Sequence, residues 1–152
     1  MKVEQKLKQM GIVLPEPAKP LAAYVPAVRA GEFVYVSGQL PFVDGQLRVK
    51  GRVGAEVSAE DAYQEARTCA INCLGVLKSV VGDLDKVKQI VKVTGFVASA
   101  PGFNAQPAVV NGASELLAEA LGDAGVHARA AVGVAELPMG TPVEVELIAQ
   151  VE

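Results

Sequence analysis

Residues 127–152 read HARAAVGVAELPMGTPVEVELIAQVE, and this stretch decides the fold. Two β-branched, alternating runs flank Leu137-Pro138-Met139-Gly140-Thr141-Pro142. They predict two strands joined as a hairpin. Side chains alternate across a strand, so Ala130, Val132 and Val134 share one face, and Arg129, Ala131, Gly133 and Ala135 the other. On the following strand Val143, Val145 and Leu147 oppose Glu144 and Glu146. With the loop at 137–142, Arg129 pairs with Gln150 and Glu144 with Ala135. In that register Arg129, Glu144 and Glu146 lie on one face, away from the Val/Leu core. Arg129 and Glu144 are then six residues apart along the hairpin, about 20 Å, too far for one ion pair. Two readings stand: a solvated sheet face, or a face that a second chain covers. Ala131, Gly133 and Ala135 make a poor solvent face and permit close approach, which favours the second.

Working outward, Val87–Ser99 is β-branched and predicts a strand, and a helix is expected from about Pro107 to Leu121 with Val110, Leu117 and Leu121 inward. Ser58 and Asp61 form an imperfect capping box ahead of a long helix to about Val81. Its buried stripe is Ala62, Ala66, Cys69, Cys73, Leu77 and Val80, and Gly82 ends it. AVRAGEFVYVSGQLP reads as two short strands around Ala30-Gly31-Glu32. DGQLRV adds a turn and a short strand. Val3, Leu7 and Met10 mark an N-terminal helix stopped by Gly11, and the proline-rich LPEPAKPLAAYVP is expected to be extended and irregular. The order helix, strands, helix, strand, helix, strand, strand is α+β: a mixed sheet with two main helices on one face. No repeat or linker interrupts the 152 residues, so 1–152 reads as one domain.

The net charge of −3, with scattered Lys and Arg, argues against nucleic acid as the partner, and so do 5% aromatics and no tryptophan. Cys69 and Cys73 fall one helical turn apart, which suits two reduced, buried thiols better than a disulfide or a metal site. No apolar run reaches membrane-spanning length and no secretory leader opens the chain, so a cytoplasmic protein is expected.

The terminal stretch resembles the C-terminal signature of the RidA family (reactive intermediate deaminase, also YjgF or L-PSP endoribonuclease). It matches through Ala128, Arg129, Val132, Val134, Leu137, Pro138, Val143, Glu144, Glu146 and Ala149. FVYVSGQLP supplies a second matching block through Val34, Ser37, Gly38, Gln39 and Pro41. The resemblance covers about residues 22–151, and the helix at 1–11 looks like the extension of a longer subgroup. It implies a chorismate-mutase-like fold that assembles as a homotrimer, with a small carboxylate-bearing ligand in the clefts between subunits and no cofactor or metal. By resemblance, Arg129 grips the substrate carboxylate and Glu144 positions a water as the two catalytic residues. Ser37 and Gly38 lie at the ligand, Asn111 matches a helix asparagine, and Tyr24 an early tyrosine. The chain departs from the family at AAYV (residues 22–25), at Ser114 in place of a tyrosine, and at Ala131 in place of a cysteine.

The chemistry fits those residue types. A 2-imino acid carries a carboxylate beside an electrophilic C=N carbon, and arginine's planar fork binds carboxylates bidentately. Anchoring fixes the carbon against a water that a glutamate can orient or deprotonate. An imine/enamine deaminase of 2-imino acids is the leading expectation. A non-catalytic trimer that binds a carboxylate metabolite is the alternative, and an endoribonuclease fits less well. Ser37 lacks a histidine base, Glu146 reads as structural, and His127 reads as a solvated loop histidine.

Overall fold

A computed structural model describes residues 2–17 and 23–152. The elements are α1 (Lys2–Gln9), β1 (Ala27–Ala30), β2 (Phe33–Gln39), α2 (Ala59–Val81), β3 (Val87–Ala98), α3 (Gln106–Leu121), β4 (Ala128–Val134) and β5 (Val143–Val151). Short 3-10 turns cover Leu84–Lys86, Gly122–Gly125 and Pro138–Gly140. Part of the proline-rich segment expected to be irregular, residues 18–22, lies outside the described residues.

The five strands form one mixed sheet in the order β1-β2-β5-β3-β4. The chain runs β3, then α3, then β4, and a strand–helix–strand unit returns its second strand parallel to the first. Accordingly β4 lies parallel to β3 at the sheet edge, with Val93 opposite Arg129 and Phe96 opposite Val132. β5 fits antiparallel between β2 and β3. The expected hairpin of β4 and β5 is therefore wrong: both strands form, but β3 separates them. β5 has the sequence of a central strand, with Val143, Val145, Leu147, Ala149 and Val151 all buried, whereas Ala-rich β4 is only half-buried at most.

α2 and α3 pack on one face of the sheet. Ser58 Oγ accepts a hydrogen bond from the Asp61 N–H and starts α2, as the capping pattern predicts, and Gly82 at φ 82° ends it. Ala62, Ala66, Cys69, Cys73 and Leu77 are buried as expected, but Val80 faces outward and Val76 and Val81 take its place. α3 presses onto β3 where Gly95 has no side chain; a β-carbon there would stand 2.6 Å from Val110 Cγ1. The DGQLRV segment forms a turn with a single bridge, Val43 to Gln46, and no strand. The backbone just before it is held to α2 where Asn72 Nδ2 donates to the Leu40 and Phe42 carbonyls.

α1 has 8 residues, too few to be stable alone. Leu7, fully buried, anchors it in the core, and Asp85 accepts hydrogen bonds from its first turn, at the N–H groups of Lys2 and Val3.

Candidate functional site

The register sets which side chains can meet. Residues directly opposite one another share a face, so Arg129 lies on the same face as Val93 and Leu147, the face covered by the helices. Glu144 lies opposite Phe96, which lies opposite Val132, on the uncovered face. The expectation that Arg129, Glu144 and Glu146 share a face is thus corrected: the arginine and the two glutamates project to opposite sides. Two strand spacings across and three residues along separate Arg129 from Glu144 by about 14 Å at the backbone. The earlier conclusion that they form no ion pair within one chain holds, on a different geometry.

Arg129 sits half-buried on the edge strand, where α3 overhangs it. Its Nη1 donates to Asn111 Oδ1 at 2.8 Å and to Ser114 Oγ at 3.2 Å, and Nη2 donates to the Pro107 carbonyl at 3.4 Å. Asn111 and Ser114 lie three residues apart on α3, which puts both on one side of the helix. Nη1 has two hydrogens and both are used. Nε–H and one Nη2 hydrogen have no partner among the described residues, so both nitrogens can still donate to an anion. Asn111, taken from the resemblance as a ligand residue, lies at this group and accepts a hydrogen bond from the arginine.

His127 lies beside this group. Its Nε2 is 2.8 Å from Ser114 Oγ and its Nδ1 is 2.6 Å from the Gly125 carbonyl. The expectation of a solvated loop histidine is wrong: both ring nitrogens are engaged and the residue is half-buried. The sequence carried the signal, because His127 and Arg129 are two apart on an extended chain and so face the same way. Both line a surface depression of about 330 Å³ with Ser114, Glu115, Ala118 and Val126. Glu115 is taken up by the Tyr63 hydroxyl, which donates to it.

On the uncovered face, β2 bulges between Val36 and Gln39, which places Gly38 against Glu144. A β-carbon at 38 would fall 2.9 Å from Glu144 Cδ. Burial raises the Glu144 carboxyl above its ordinary value, and the neighbouring Glu146 raises it further. A group so tuned accepts a proton more readily than a free carboxylate does. Ser37 Oγ donates to the Val25 carbonyl at 2.7 Å, which leaves it without a base and unsuited to nucleophilic attack. Gly38 and Glu144 are therefore brought together, with Ser37 next to Gly38 in the chain but its hydroxyl on the Val25 carbonyl, while Arg129 and Asn111 form a second group. Tyr24 is 57% exposed in the bend before β1 and joins neither.

Cys69 and Cys73 are free and buried, with Sγ directed at the Val143 and Val145 carbonyls. Burial pushes both thiols up, which makes them inert. Among the described residues no helix is long and apolar enough to cross a membrane.

A family model described as "YjgF/chorismate mutase-like, putative endoribonuclease" matches residues 4–151. The chain belongs to this family, the one to which the RidA proteins also belong. It is 41% identical over 150 residues to Protein TCP17 of Trypanosoma cruzi, covering 98% of this chain and 94% of that one. It is 31% identical over 141 residues to a 2-iminobutanoate/2-iminopropanoate deaminase of Dermatophagoides farinae, covering 93% of this chain and 95% of that one. The crystal structure of an Agrobacterium tumefaciens protein of unknown function superposes with a TM-score of 0.93 at 44% identity, over 99% of this chain and 92% of that chain.

Proposed function

We propose that the chain is an imine/enamine deaminase. It hydrolyses small 2-imino acids to 2-oxo acids and ammonia, at clefts between the subunits of a cytoplasmic homotrimer. The observation that carries this reading is the division of the site. One group, Arg129 with Nε and Nη2 still able to donate, is built to hold a carboxylate. The other, Glu144 against Gly38, is built to hold a water or accept a proton. They point to opposite sides of one sheet, so a neighbouring subunit is needed to bring an arginine to a glutamate. The uncovered sheet face supplies a surface for that neighbour: Tyr35 is 48% and Val132 42% exposed there, beside Phe96 and Ile148. The Dermatophagoides farinae relative supports the substrate class by its name, and the two free thiols support a reducing compartment.

In the proposed reaction the substrate carboxylate seats on Arg129, which fixes the C=N carbon. Glu144 takes a proton from the attacking water as its oxygen bonds to that carbon and the C=N π pair moves to nitrogen. Glu144 passes that proton to the nitrogen, which gives a carbinolamine. The carbinolamine hydroxyl then loses its proton through Glu144 to the same nitrogen as the C–N bond breaks, so ammonia leaves, the C=O forms and the carboxylate is regenerated.

A second reading, a trimer that binds a small carboxylate without turnover, is favoured by the neighbours of Arg129. Asn111, Ser114 and the Pro107 carbonyl hold an arginine in place and transfer no proton. RNA is a poorer fit, given the net charge of −3 and the lack of tryptophan. The deciding experiment measures hydrolysis of freshly generated 2-iminobutanoate by the wild type and by Arg129→Ala. Acceleration that the variant loses supports the deaminase. No acceleration by a well-folded trimer removes that reading in favour of the binding protein, and a monomer by light scattering removes the intersubunit site.

A further inference from the structure

We propose that His127 is a positioning residue for Arg129 and acts through the Ser114 hydroxyl. The proposal rests on the reading of Arg129 as a carboxylate anchor and adds what holds that anchor's orientation.

Hydrogen bonding fixes the direction of the chain. Nδ1 of His127 faces the Gly125 carbonyl at 2.6 Å, and a carbonyl only accepts, so Nδ1 carries the proton. In the neutral ring Nε2 is then a bare acceptor. The single hydrogen of Ser114 Oγ, 2.8 Å away, is the donor that meets it. With its hydrogen committed to His127, Ser114 Oγ turns lone pairs toward Arg129 Nη1, 3.2 Å away on its other side. Asn111 Oδ1 accepts the second Nη1 hydrogen at 2.8 Å. Along the series Arg129, Ser114, His127, Gly125 each residue donates to the next, and the Gly125 carbonyl ends the series as an acceptor. The rotations of the guanidinium and of the hydroxyl are both locked.

The consequence falls on Nε and Nη2. A bidentate carboxylate needs Nε and Nη2 held in one plane toward the cleft. The bonds on Nη1 prevent the guanidinium from turning those two nitrogens away. Without the imidazole, the Ser114 hydroxyl rotates freely and presents hydrogen or lone pair to Nη1 indifferently. Arg129 then keeps only Asn111 and the long bond to Pro107 as guides. His127 does not touch the substrate in this account and transfers no proton to it.

The test compares the wild type with His127→Phe, His127→Gln, Ser114→Ala and the Phe/Ala double variant. The readouts are guanidinium and imidazole nitrogen NMR on the ligand-free protein and calorimetric titration with 2-oxobutanoate. The wild type is expected to show a protonated Nδ1, an unprotonated Nε2 and slow rotation about the Arg129 Cζ–Nη1 bond. Both Ser114→Ala and His127→Phe speed that rotation and weaken 2-oxobutanoate binding about tenfold. The double variant is no worse than either single one, and His127→Gln, whose amide oxygen can accept from Ser114, restores binding. A proton on Nε2 overturns the proposal, and so does unchanged rotation in His127→Phe or additive losses in the double variant. If the wild type fails to bind 2-oxobutanoate, the carboxylate-anchor reading falls, while the rotation rates still decide whether His127 orders Arg129.

Discussion

The carboxylate of Glu144 occupies the space that a side chain at position 38 would need. A β-carbon there would lie 2.9 Å from Cδ and 3.2 Å from Cγ of Glu144. The neighbour is the far end of a flexible side chain, so Gly38→Ala can be accommodated by swinging the carboxylate aside. The fold tolerates that movement, but a water-positioning role does not. Gly38→Ala is expected to change thermal stability by no more than about 1 kcal/mol while lowering kcat at least tenfold. Paired melting curves and rate measurements check this. A variant with full activity would place the proton-accepting group elsewhere.

Arg129→Lys keeps the charge and removes the fork. A hydrogen bond to a charged group contributes about 1.5–3 kcal/mol, so losing one arm of a bidentate pair weakens carboxylate binding roughly tenfold to a hundredfold. The expected outcome is a rise of that size in KM, or in the Kd for 2-oxobutanoate, with folding retained. A large fall in melting temperature with unchanged affinity would instead make Arg129 a structural residue that ties β4 to α3.

Glu144 is raised first by burial and then by Glu146. A proton-accepting glutamate works when ionised, so activity rises with pH through its titration. Glu146→Gln removes the second cause only. The acid-side midpoint of kcat/KM should therefore move to lower pH and stay above the ordinary carboxylate value of 4.5, because burial remains. A pH–rate profile of the two proteins measures the shift, and a midpoint that stays or rises would show that another group governs the limb.

Much of the fold is legible in the sequence because each element carries its own marker. Ser58 starts α2, Gly82 stops it, and the alternating valines of β5 declare a strand buried on one face. The neighbour relations are less legible. Pro138 and Gly140 look like a hairpin loop, and successive strands usually pair. The competing signal was α3: a strand, a helix and a strand make a parallel crossover, which commits the far side of β3 to β5. Reading β4 and β5 as a hairpin placed Arg129 on the wrong face, even though the alternation along each strand was right. His127 was misread for a related reason. Its spacing from Arg129 shows which way it faces, but its partner Ser114 lies thirteen residues back on another element, and no local pattern shows that contact.

Arg48 and Glu65 tie the turn-bearing segment after β2 onto α2. Arg48 Nη2 meets Glu65 Oε2 at 2.8 Å and also donates to Thr68 Oγ1. The Glu65 side chain is 4% exposed and that of Arg48 51%, and Glu65 Oε1 has no hydrogen-bond partner among the described residues. Burial raises the Glu65 carboxyl above its ordinary value, and Arg48 partly offsets this. A carboxyl raised by folding holds its proton more tightly in the native state, so its ionisation makes stability fall as pH climbs from the unfolded value through the folded one. Arg48→Met lifts the folded value further and leaves a buried charge unpaired. With Arg48 half in water, the expected cost at pH 7 is about 2 kcal/mol, below that of a fully buried pair. The cost should shrink as pH falls toward the ordinary carboxylate range, because the raised carboxyl takes up a proton ahead of an ordinary one and the uncharged group needs no cation. Urea unfolding of both proteins at pH 7 and pH 5 measures it. A penalty that is equal at the two pH values, or larger at pH 5, would mean that Arg48 acts through packing and its Thr68 bond rather than through the Glu65 charge.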